Sequence, residues 1–336
     1  MNKIAVLLIL VLTSISQAII LHPENEPGVP VEDRPADNAV AHIGCCSGVP
    51  ISPHYLITAR HFTVTTSTTI RIDGLIYYPA EIWDHPNEDI KLIRVEEVLE
   101  NFTSIPDPGQ GVYDYNNLDN VFVIGGFGFQ RGANEYADYD PNLVVGYAWG
   151  SNRSLKWGTN KAYYNNHSYL YTYFDAPGDT PYEAALSMYD SGSPVFYYYD
   201  NQWWVIGLGV SVSDMDGSWF LNPYNYGYPY QTSNSYVRTS VNSGWIKSIM
   251  YGADMNEDGI VDVEDLSLFS KWWLADENLN TWVEHFYFYY FARSDLNRDG
   301  YVNLKDFAIL SGDWLQEPTS AEGSDDIFAG GSPWNI

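Results

Sequence analysis

Apolar residues occur in short runs along most of the chain. Between about residues 39 and 250 the runs are rich in Val, Ile, Tyr and Phe, and Gly, Pro and Asn separate them. Many short strands separated by turn residues are typical of β-sandwiches and β-barrels. The pattern therefore predicts a mainly β domain. Its clearest predicted strands are Thr68–Ile72, Lys91–Val95, Val121–Ile124, Leu143–Tyr147, Tyr169–Phe174, Val195–Tyr199 and Trp203–Val212.

Two segments of this domain depart from the strand pattern. Ser243–Tyr251 has helical spacing, with Trp245, Ile246 and Ile249 on one predicted face. The stretch 130–190 is polar and rich in Tyr and Asn, so we expect mostly long loops around the second half of a barrel. The β domain is thus expected to finish with a short helix near residue 251.

The pattern changes after residue 251, where a twelve-residue motif occurs twice. The copies begin at Asp254 and, 41 residues later, at Asp295. Both place oxygen-bearing side chains at loop positions 1, 3, 5, 9 and 12 and glycine at position 6, and a carbonyl at position 7 can join them. Loops of this form wrap calcium, which predicts about two Ca²⁺ ions. The predicted ligands are Asp254, Asn256, Asp258, Ile260, Asp262 and Asp265, and in the second loop Asp295, Asn297, Asp299, Tyr301, Asn303 and Asp306.

The repeat continues into the helix predicted after each loop. A single Asp-rich loop is often only a solvated turn, but a shared continuation favours a small all-α calcium-binding domain. The residues after Pro318 are polar and Gly-rich, and we expect them to be disordered. The matching apolar positions, spaced i, i+3 and i+7 as on one helix face, are Leu266, Phe269 and Trp273 in the first copy and Phe307, Leu310 and Trp314 in the second.

Charge and the N-terminal segment narrow the range of partners and compartments. The 336 residues carry 16 Lys and Arg against 43 Asp and Glu, a formal net charge of -27. This charge argues against nucleic acid and anionic membrane surfaces as partners. Residues 1–18 combine Lys3, an apolar run and a small-residue site ending at Ala18, the pattern of a cleaved secretory signal. The run is short for a membrane anchor, so we expect a secreted protein, extracellular or periplasmic, free of the membrane after cleavage.

The chain contains two cysteines, and they are neighbours, Cys45 and Cys46. Adjacent Cα atoms lie about 3.8 Å apart, whereas a disulfide usually joins Cα atoms roughly 4.4–6.8 Å apart. A bridge between them would require a strained ring. The fold is therefore expected not to depend on a disulfide framework.

The strongest signal for chemistry is the octapeptide Tyr189–Phe196. It places Ser191 on a tight turn before an apolar run, which is a way to present a hydroxyl as a nucleophile. Such a serine needs a base and an orienting carboxylate. His61 follows a strand-like run, and Asp89 begins an alternating one. The order His, Asp, Ser is one of the orders in which catalytic triads occur.

Residues 19–251 resemble trypsin- and chymotrypsin-type serine proteases. The resemblance rests on Thr58-Ala-Arg-His61, on Asp89-Ile-Lys-Leu-Ile and on Asp190-Ser-Gly-Ser-Pro194, in the family's order. It implies a chymotrypsin-like double β-barrel and an acyl-enzyme mechanism. In that mechanism Ser191 attacks the scissile carbonyl, His61 takes its proton and Asp89 orients the imidazole. The backbone N–H groups of Tyr189 and Ser191 would form the oxyanion hole.

Three residues depart from the family's usual pattern. Tyr189 stands where the family has glycine, and Arg60 replaces a small residue beside His61. Phe62 stands where a cysteine usually follows the histidine. A side chain at position 189 is expected to strain the oxyanion loop or to hold it in an inactive peptide orientation.

The resemblance also implies an activation step. Family members commonly need a new N-terminal Ile or Val whose ammonium pairs with the aspartate before the nucleophile. Cleavage after Ala18 would create such a terminus at Ile19, which we expect to pair with Asp190. The alternative is that Asp190 caps local backbone and that Ile19 begins a disordered lead.

The resemblance also indicates the positions that determine substrate specificity. The resemblance places the base of the substrate pocket near Ala185 and the strand that lines the substrate backbone at Ser211. No acid occupies position 185, so we expect an apolar or small substrate side chain unless Glu183 reaches into the pocket.

Residues 252–316 resemble a dockerin, the calcium-dependent module that binds cohesins in multi-enzyme assemblies. The resemblance implies a cohesin-like scaffold as a possible partner. The recognition positions are Val263-Glu264 and Leu304-Lys305, where cellulosomal dockerins often carry a Ser/Thr pair. A second interpretation is a calcium-stabilised module that packs on the β domain through the aromatic segment Ala275–Ser294. The short connection between Tyr251 and Asp254 favours this packing.

The sequence thus predicts four parts: a signal peptide (1–18), a trypsin-like protease domain (19–251), a dockerin-like domain (252–316) and a disordered tail (317–336). The predicted function is a secreted serine endopeptidase that acts on polypeptides, with a calcium module for attachment or stabilisation. The alternative is a catalytically inactive protease fold that serves as a binding or assembly protein.

Overall fold

The computed structural model describes residues 19–113, 117–227, 230–276 and 285–315. The predicted signal peptide, the predicted tail and part of the aromatic segment Ala275–Ser294, including Trp282, lie outside these ranges. The strands are β1 Ile20–Leu21, β2 Ala41–Ile43, β3 Cys46–Pro50, β4 Tyr55–Thr58, β5 Ile70–Ile72, β6 Leu75–Tyr77, β7 Pro79–Asp84, β8 Lys91–Val95, β9 Val121–Gly126, β10 Arg131–Ala137, β11 Asp140–Trp149, β12 Lys156–Lys161, β13 Tyr164–Asn165, β14 Tyr169–Tyr173, β15 Ala184–Ala185, β16 Pro194–Tyr199, β17 Gln202–Val212, β18 Gly217–Trp219 and β19 Ser233–Arg238. The α-helices are α1 Thr239–Met250, α2 Val263–Ser270, α3 His285–Ser294 and α4 Leu304–Gly312.

Two seven-stranded sheets make up most of the structure. Their strand orders are β6-β5-β2-β3-β4-β8-β7 and β12-β9-β16-β17-β19-β14-β13, and the named strands pair antiparallel. Each sheet curls into a half-barrel. The prediction of a mainly β protein is confirmed at this level, and the arrangement is compatible with a chymotrypsin-like double β-barrel.

The largest hydrophobic cluster lies where the two sheets meet. Burial of each large aliphatic or aromatic side chain contributes roughly 1.5–3 kcal/mol, so a cluster shared by both sheets holds them together strongly. Helix α1 adds Trp245 and Ile246 to it, on the face predicted from the sequence. The strand residues of this cluster include Val49, Ile57, Leu92, Val123, Phe196, Val205, Leu208 and Val237.

The expectation of mostly long loops across residues 130–190 is wrong. This stretch contains β10 to β15, and β10 and β11 form a three-stranded sheet with β18. In β14 the buried Leu170 and Thr172 alternate with half-buried tyrosines. Tyrosine is a good strand former, and strands with one solvated face tolerate polar residues. Because of its polar, Tyr-rich composition, a set of strands was therefore predicted as loops.

The apolar face predicted for the two repeated helices is only partly correct. Phe269 and Leu310 are buried in the core of the C-terminal region. Trp273 and Trp314, however, lie beyond the ends of α2 and α4 and are exposed. Helix α2 ends at Ser270 and α4 ends at Gly312, so both tryptophans follow the last helical residue.

The C-terminal region packs against α1. A Cβ atom at Gly244 would lie 2.6 Å from the carbonyl oxygen of Tyr289, so α1 and α3 approach at backbone distance. The fully buried Arg293 of α3 donates to the carbonyl oxygens of Lys247 and Asp254, at 2.7 and 2.5 Å. No described helix is long and apolar enough to cross a membrane.

Candidate active site

Strand register brings His61 and Asp89 together. In the first sheet β4 pairs with β8, and the last pair of this ladder joins Thr58 to Lys91. His61 lies three residues after Thr58, and Asp89 lies two residues before Lys91. Both side chains therefore emerge from the same end of neighbouring strands. This placement needs only the register of one strand pair.

Ser191 is supplied by the turn that precedes β16 in the second sheet. The N–H of Ser47, in β3 of the first sheet, donates to the Ser191 carbonyl oxygen at 2.9 Å, which ties the turn to the opposite sheet. Gly192 follows with φ +79, and a Cβ there would lie 2.2 Å from the Ser47 carbonyl oxygen. The turn therefore requires glycine immediately after the serine.

The three predicted catalytic side chains form one hydrogen-bonded line. His61 Nε2 lies 2.8 Å from Ser191 Oγ, and His61 Nδ1 lies 2.6 Å from Asp89 Oδ2. The backbone N–H of His61 also donates to Asp89 Oδ1 at 2.8 Å. Burial raises the pKa of Asp89, but the hydrogen bonds and charge of His61 outweigh this effect and lower it overall. Asp89 is thus held as a carboxylate beside the imidazole.

Arg60 stands where the family that the sequence resembles usually has a small residue. Its side chain has a structural role. Its Nη1 donates to the carbonyl oxygens of His85 and Pro86, at 2.5 and 2.9 Å. These residues begin the loop that carries Asp89. Arg60 therefore fixes the approach of the aspartate to the neighbouring histidine.

Tyr189 adopts a backbone conformation that suits glycine. Its φ is +74, in the left-handed region that residues with side chains rarely adopt. Its ring meets the edge of Phe129 at a centroid distance of 4.9 Å, and the Arg153 guanidinium lies over it at 4.8 Å. No sequence spacing links residues 129, 153 and 189, so these contacts were not predicted.

Asp190 is fully buried and bonded to neutral donors. It accepts hydrogen bonds from Ser187 N and Oγ, from Gly128 N and from Ser193 Oγ. Burial raises its pKa to about 6, against the lowering effect of these donors. Among the described residues Ile19 does not donate to it. The predicted Ile19–Asp190 ion pair is not brought together in the uncleaved chain.

Ile19 is nevertheless well packed. It is buried in the core of the second half-barrel, and the following strand β1 pairs with β15, Ile20 opposite Ala185 and Leu21 opposite Ala184. The segment is therefore part of the fold, and the alternative of a disordered lead at Ile19 is wrong for these residues.

A cavity of about 270 Å³ opens beside the triad. Ser211 lines it, as predicted for a substrate-binding position. Ala185 does not line it, because this residue is fully buried and paired with Ile20. The carboxylate of Asp214, which was not predicted, also lines it. The other lining residues are His61, Trp149, Leu186, Ser187, Met188, Tyr189, Asp190, Ser191, Val210, Val212 and Met215.

Glu183 does not reach into this cavity. It is fully buried and accepts hydrogen bonds from Asn160 Nδ2 and Asp175 N, at 3.0 and 3.2 Å, and Thr180 Oγ1 lies 2.6 Å from its Oε2. Burial raises its pKa to about 8, and the charges of Asp175 and Asp179 add to the effect. The carboxyl group belongs to the interior of the second half-barrel.

The two cysteines are free thiols. Their sulfur atoms lie 3.8 Å apart, Cys46 is buried and Cys45 is half-buried. The Cys45 carbonyl oxygen accepts a hydrogen bond from Arg153 Nη1 at 2.7 Å. The cysteine pair therefore lies next to the candidate site but supplies only backbone to it.

The two acidic loops have the same internal hydrogen bonds. In each, the first aspartate accepts from the glycine N–H, Gly259 to Asp254 and Gly300 to Asp295, both at 2.9 Å. The last aspartate and the residue at loop position 9 form a reciprocal cap on the following helix. Burial, and then the charge of Asp265, raises the pKa of Asp254 to about 6. Each loop thus gathers carboxylates at its centre.

Within the described residues, no group of three or more His, Cys, Asp or Glu side chains is assembled as a metal site. The predicted calcium ligands include asparagine side chains and backbone carbonyls, which lie outside that set of residue types.

No protein-family model matches the chain, and a search of curated proteins gives no significant match.

Proposed function

We propose that residues 19–251 form a serine endopeptidase. The observation that carries this proposal is the hydrogen-bonded line from Asp89 through His61 to Ser191, beside an open cavity. A hydroxyl bonded to an imidazole, which is bonded in turn to a carboxylate, is the arrangement that activates serine for acyl transfer.

The proposed reaction has two halves. Ser191 Oγ attacks the scissile carbonyl carbon while its proton passes to His61 Nε2, and Asp89 stabilises the imidazolium that forms. The tetrahedral oxyanion accepts hydrogen bonds from the N–H groups of Tyr189 and Ser191. His61 then gives the proton to the leaving amine, which leaves an acyl ester on Ser191. In the second half water attacks the acyl carbon while His61 takes its proton, and His61 then gives that proton to Ser191 Oγ as the acyl C–O bond breaks and the acid leaves.

The cavity supports a polypeptide substrate with an apolar side chain before the scissile bond. Trp149, Met188, Val210, Val212 and Met215 supply apolar walls. Asp214 is already engaged by three neutral hydroxyl donors, Ser213, Tyr230 and Thr232. A peptide-library cleavage profile should favour apolar residues; a profile dominated by Lys and Arg would assign specificity to Asp214 instead.

Activation by signal removal is part of the proposal. The buried position of Ile19 in the core of the second half-barrel supports an insertion that cleavage after Ala18 would complete. N-terminal sequencing of the secreted, active protein tests it. A first residue other than Ile19 would contradict this step without contradicting the triad.

Covalent labelling with a fluorophosphonate probe tests the function directly. Wild-type protein should be labelled at Ser191, S191A should not be labelled, and the exposed control S67A should be labelled as well as wild type. Thermal unfolding of the variants checks that each is folded. Absence of labelling in folded wild type would favour the inactive protease-fold alternative.

We also propose that the loops at 254–265 and 295–306 each bind Ca²⁺. The support is chemical: hard oxygen donors at dockerin-like positions and buried aspartates crowded together, which a divalent cation would neutralise. The contacts of Arg293 with α1 favour a stabilising role within the chain. The exposed Val263 and Leu304 keep a cohesin-like partner as the second proposal. Calorimetry should find about two sites, and no heat of binding would overturn the assignment.

A further inference from the structure

The peptide group before Tyr189 is held by a donor from another segment of the chain. The Met188 carbonyl oxygen accepts a hydrogen bond from the Phe129 N–H at 3.0 Å. The Met188 carbonyl and the Tyr189 N–H belong to the same peptide group. A trans peptide is planar, and its C=O and N–H point in opposite directions. Whatever fixes the direction of this carbonyl therefore also fixes the direction of the proposed oxyanion donor.

This peptide is held in an orientation that tyrosine does not favour. The φ of +74 places Tyr189 in the left-handed region, where a side chain makes the conformation costly. If the peptide turned over, φ would return to the favoured region. The Tyr189 N–H would then leave the oxyanion hole, and the Met188 carbonyl oxygen, which cannot donate, would take its place. A backbone hydrogen bond and the left-handed strain are of comparable size, so the bond from Phe129 can decide the orientation.

The segment that supplies this donor is itself fixed to the nucleophile turn. It follows strand β9, and its three consecutive N–H groups all donate. The Phe127 N–H donates to Ser47 Oγ at 2.9 Å, and the Gly128 N–H donates to Asp190 Oδ1 at 2.7 Å. A Cβ at Gly128 would lie 2.3 Å from Asp190 Oδ2, so the segment lies at backbone distance from that carboxylate. The Phe129 N–H is thus presented by a backbone with fixed contacts on its N-terminal side.

We propose that Phe129 is a positioning residue for the oxyanion hole through its backbone: its N–H holds the Met188 carbonyl and thereby aims the Tyr189 N–H at the oxyanion. The inference rests on the proposed peptidase function. It explains how the chain can carry tyrosine at a position whose φ suits glycine. It also means that this hydrogen bond matters most when residue 189 has a side chain.

Steady-state kinetics on a cleaved peptide substrate tests the role of the N–H. An amide-to-ester substitution at residue 129 replaces this N–H by oxygen and leaves every side chain in place. It should lower kcat by about 100-fold, the effect of losing one oxyanion donor, with KM little changed. F129A keeps the N–H and should lower kcat far less than the ester does. The matched control is the same ester at Gln130, whose N–H donates to the Asn152 carbonyl oxygen at 3.2 Å.

The decisive comparison places the residue-129 ester in Y189G. Glycine lacks the strain that favours the flipped peptide, so the loss of kcat caused by the ester should be about tenfold smaller in that background. An equal loss with tyrosine and with glycine at position 189 would mean that the N–H only supports the turn, and would overturn the proposal. A normal kcat for the ester with Tyr189 present, or a loss in F129A as large as that of the ester, would also overturn it.

A structural measurement separates this inference from the proposed function. A crystal structure of the protein with the residue-129 ester should show Tyr189 outside the left-handed region and the Met188 carbonyl turned over. Retention of φ near +74 would contradict the anchoring role, whatever the activity. If folded wild type is not labelled at Ser191 by fluorophosphonate, the peptidase proposal fails, and this crystal structure still decides whether the Phe129 N–H holds the peptide.

Discussion

The candidate active site and the two acidic loops differ in how far along the chain their parts come from. His61 bonds to Asp89, 28 residues away, and to Ser191, 130 residues away. In the first loop Asp254 accepts hydrogen bonds from residues four and five positions later. Asp265 accepts from residues nine and ten positions earlier. The site therefore depends on the packing of two sheets, whereas each loop is shaped mainly by its own residues.

This difference determines what each region needs for stability. Bringing distant segments together costs chain entropy, which the buried cluster between the sheets must offset. The loops need little long-range closure, but they concentrate negative charge in a partly buried space. We therefore expect the site to respond to changes in its hydrogen-bonded line and the loops to respond to cations.

The largest expected effect is the loss of the orienting carboxylate at the site. D89N keeps the shape but allows the wrong imidazole tautomer, and should lower kcat by about 10⁴-fold. The matched control is D73N, because the exposed Asp73 lies in the turn between β5 and β6 of the same sheet and asparagine tolerates its φ of +48. Peptide hydrolysis measures both. Near-normal activity of D89N would break the interpretation of these residues as a working triad.

A smaller effect is expected where the C-terminal region meets α1. R293M leaves the Asp254 carbonyl oxygen without its side-chain donor and removes one of the two donors to the Lys247 carbonyl oxygen, which should lower the free energy of unfolding by about 3 kcal/mol. Denaturant unfolding measures this value, with the exposed R71M as control. Equal stability of the two variants would show that the loop region is independent of the β domain, which would sharpen the contrast between the regions.

Calcium removal should affect the loops and spare the triad. At a free calcium concentration about 100 times the Kd, one site adds about 2.7 kcal/mol to the free energy of unfolding. Chelation should remove this gain, and D258N and D299N should reduce it, whereas D73N, outside the loops, should behave as wild type. Labelling of Ser191 well below the unfolding temperature should persist after chelation. Loss of labelling there would show that the two regions are coupled.

The sequence anticipated the parts whose signals are local. Ser191 lies in a turn with a recognisable sequence, and each acidic loop has its predicted ligands at fixed intervals along the sequence. The strand-like runs before His61 and after Asp89 are strands β4 and β8, although their pairing was not predicted. The runs and the turn can be predicted because one segment determines each of them.

Other features arise only from tertiary packing. Arg153 and Tyr189 are far apart in sequence, and no motif at either position predicts the contact between them. Ala185 has the right distance from the nucleophile for a pocket residue, but its pairing with Ile20 buries it. The strands of residues 130–190 were not predicted, because tyrosine and asparagine occur both in loops and on the solvated faces of sheets.

The smallest expected effect lies in the interior that supports the site. Thr180 Oγ1 has one proton but lies 2.6 Å from Glu183 Oε2 and 3.2 Å from the Thr159 carbonyl oxygen. Both contacts are satisfied if Glu183 is protonated and donates to Thr180, which agrees with its pKa of about 8. A pKa above the unfolded value of 4.5 means that the folded state binds the extra proton. The free energy of unfolding should therefore fall as pH rises from 4.5 to 8.

E183Q should remove this dependence, because its amide imitates the protonated acid: one end accepts from Asn160 and the other donates to Thr180. Between about pH 6.5 and 7.5 wild type should lose up to about 1.4 kcal/mol relative to E183Q, because Asp190 titrates alike in both proteins and cancels from the difference. Urea unfolding at both pH values measures the difference, with the exposed E97Q as control. If the free energy of unfolding of E183Q falls with pH as steeply as that of wild type, Glu183 is ionised in the folded state. The pH dependence of stability then comes from another group.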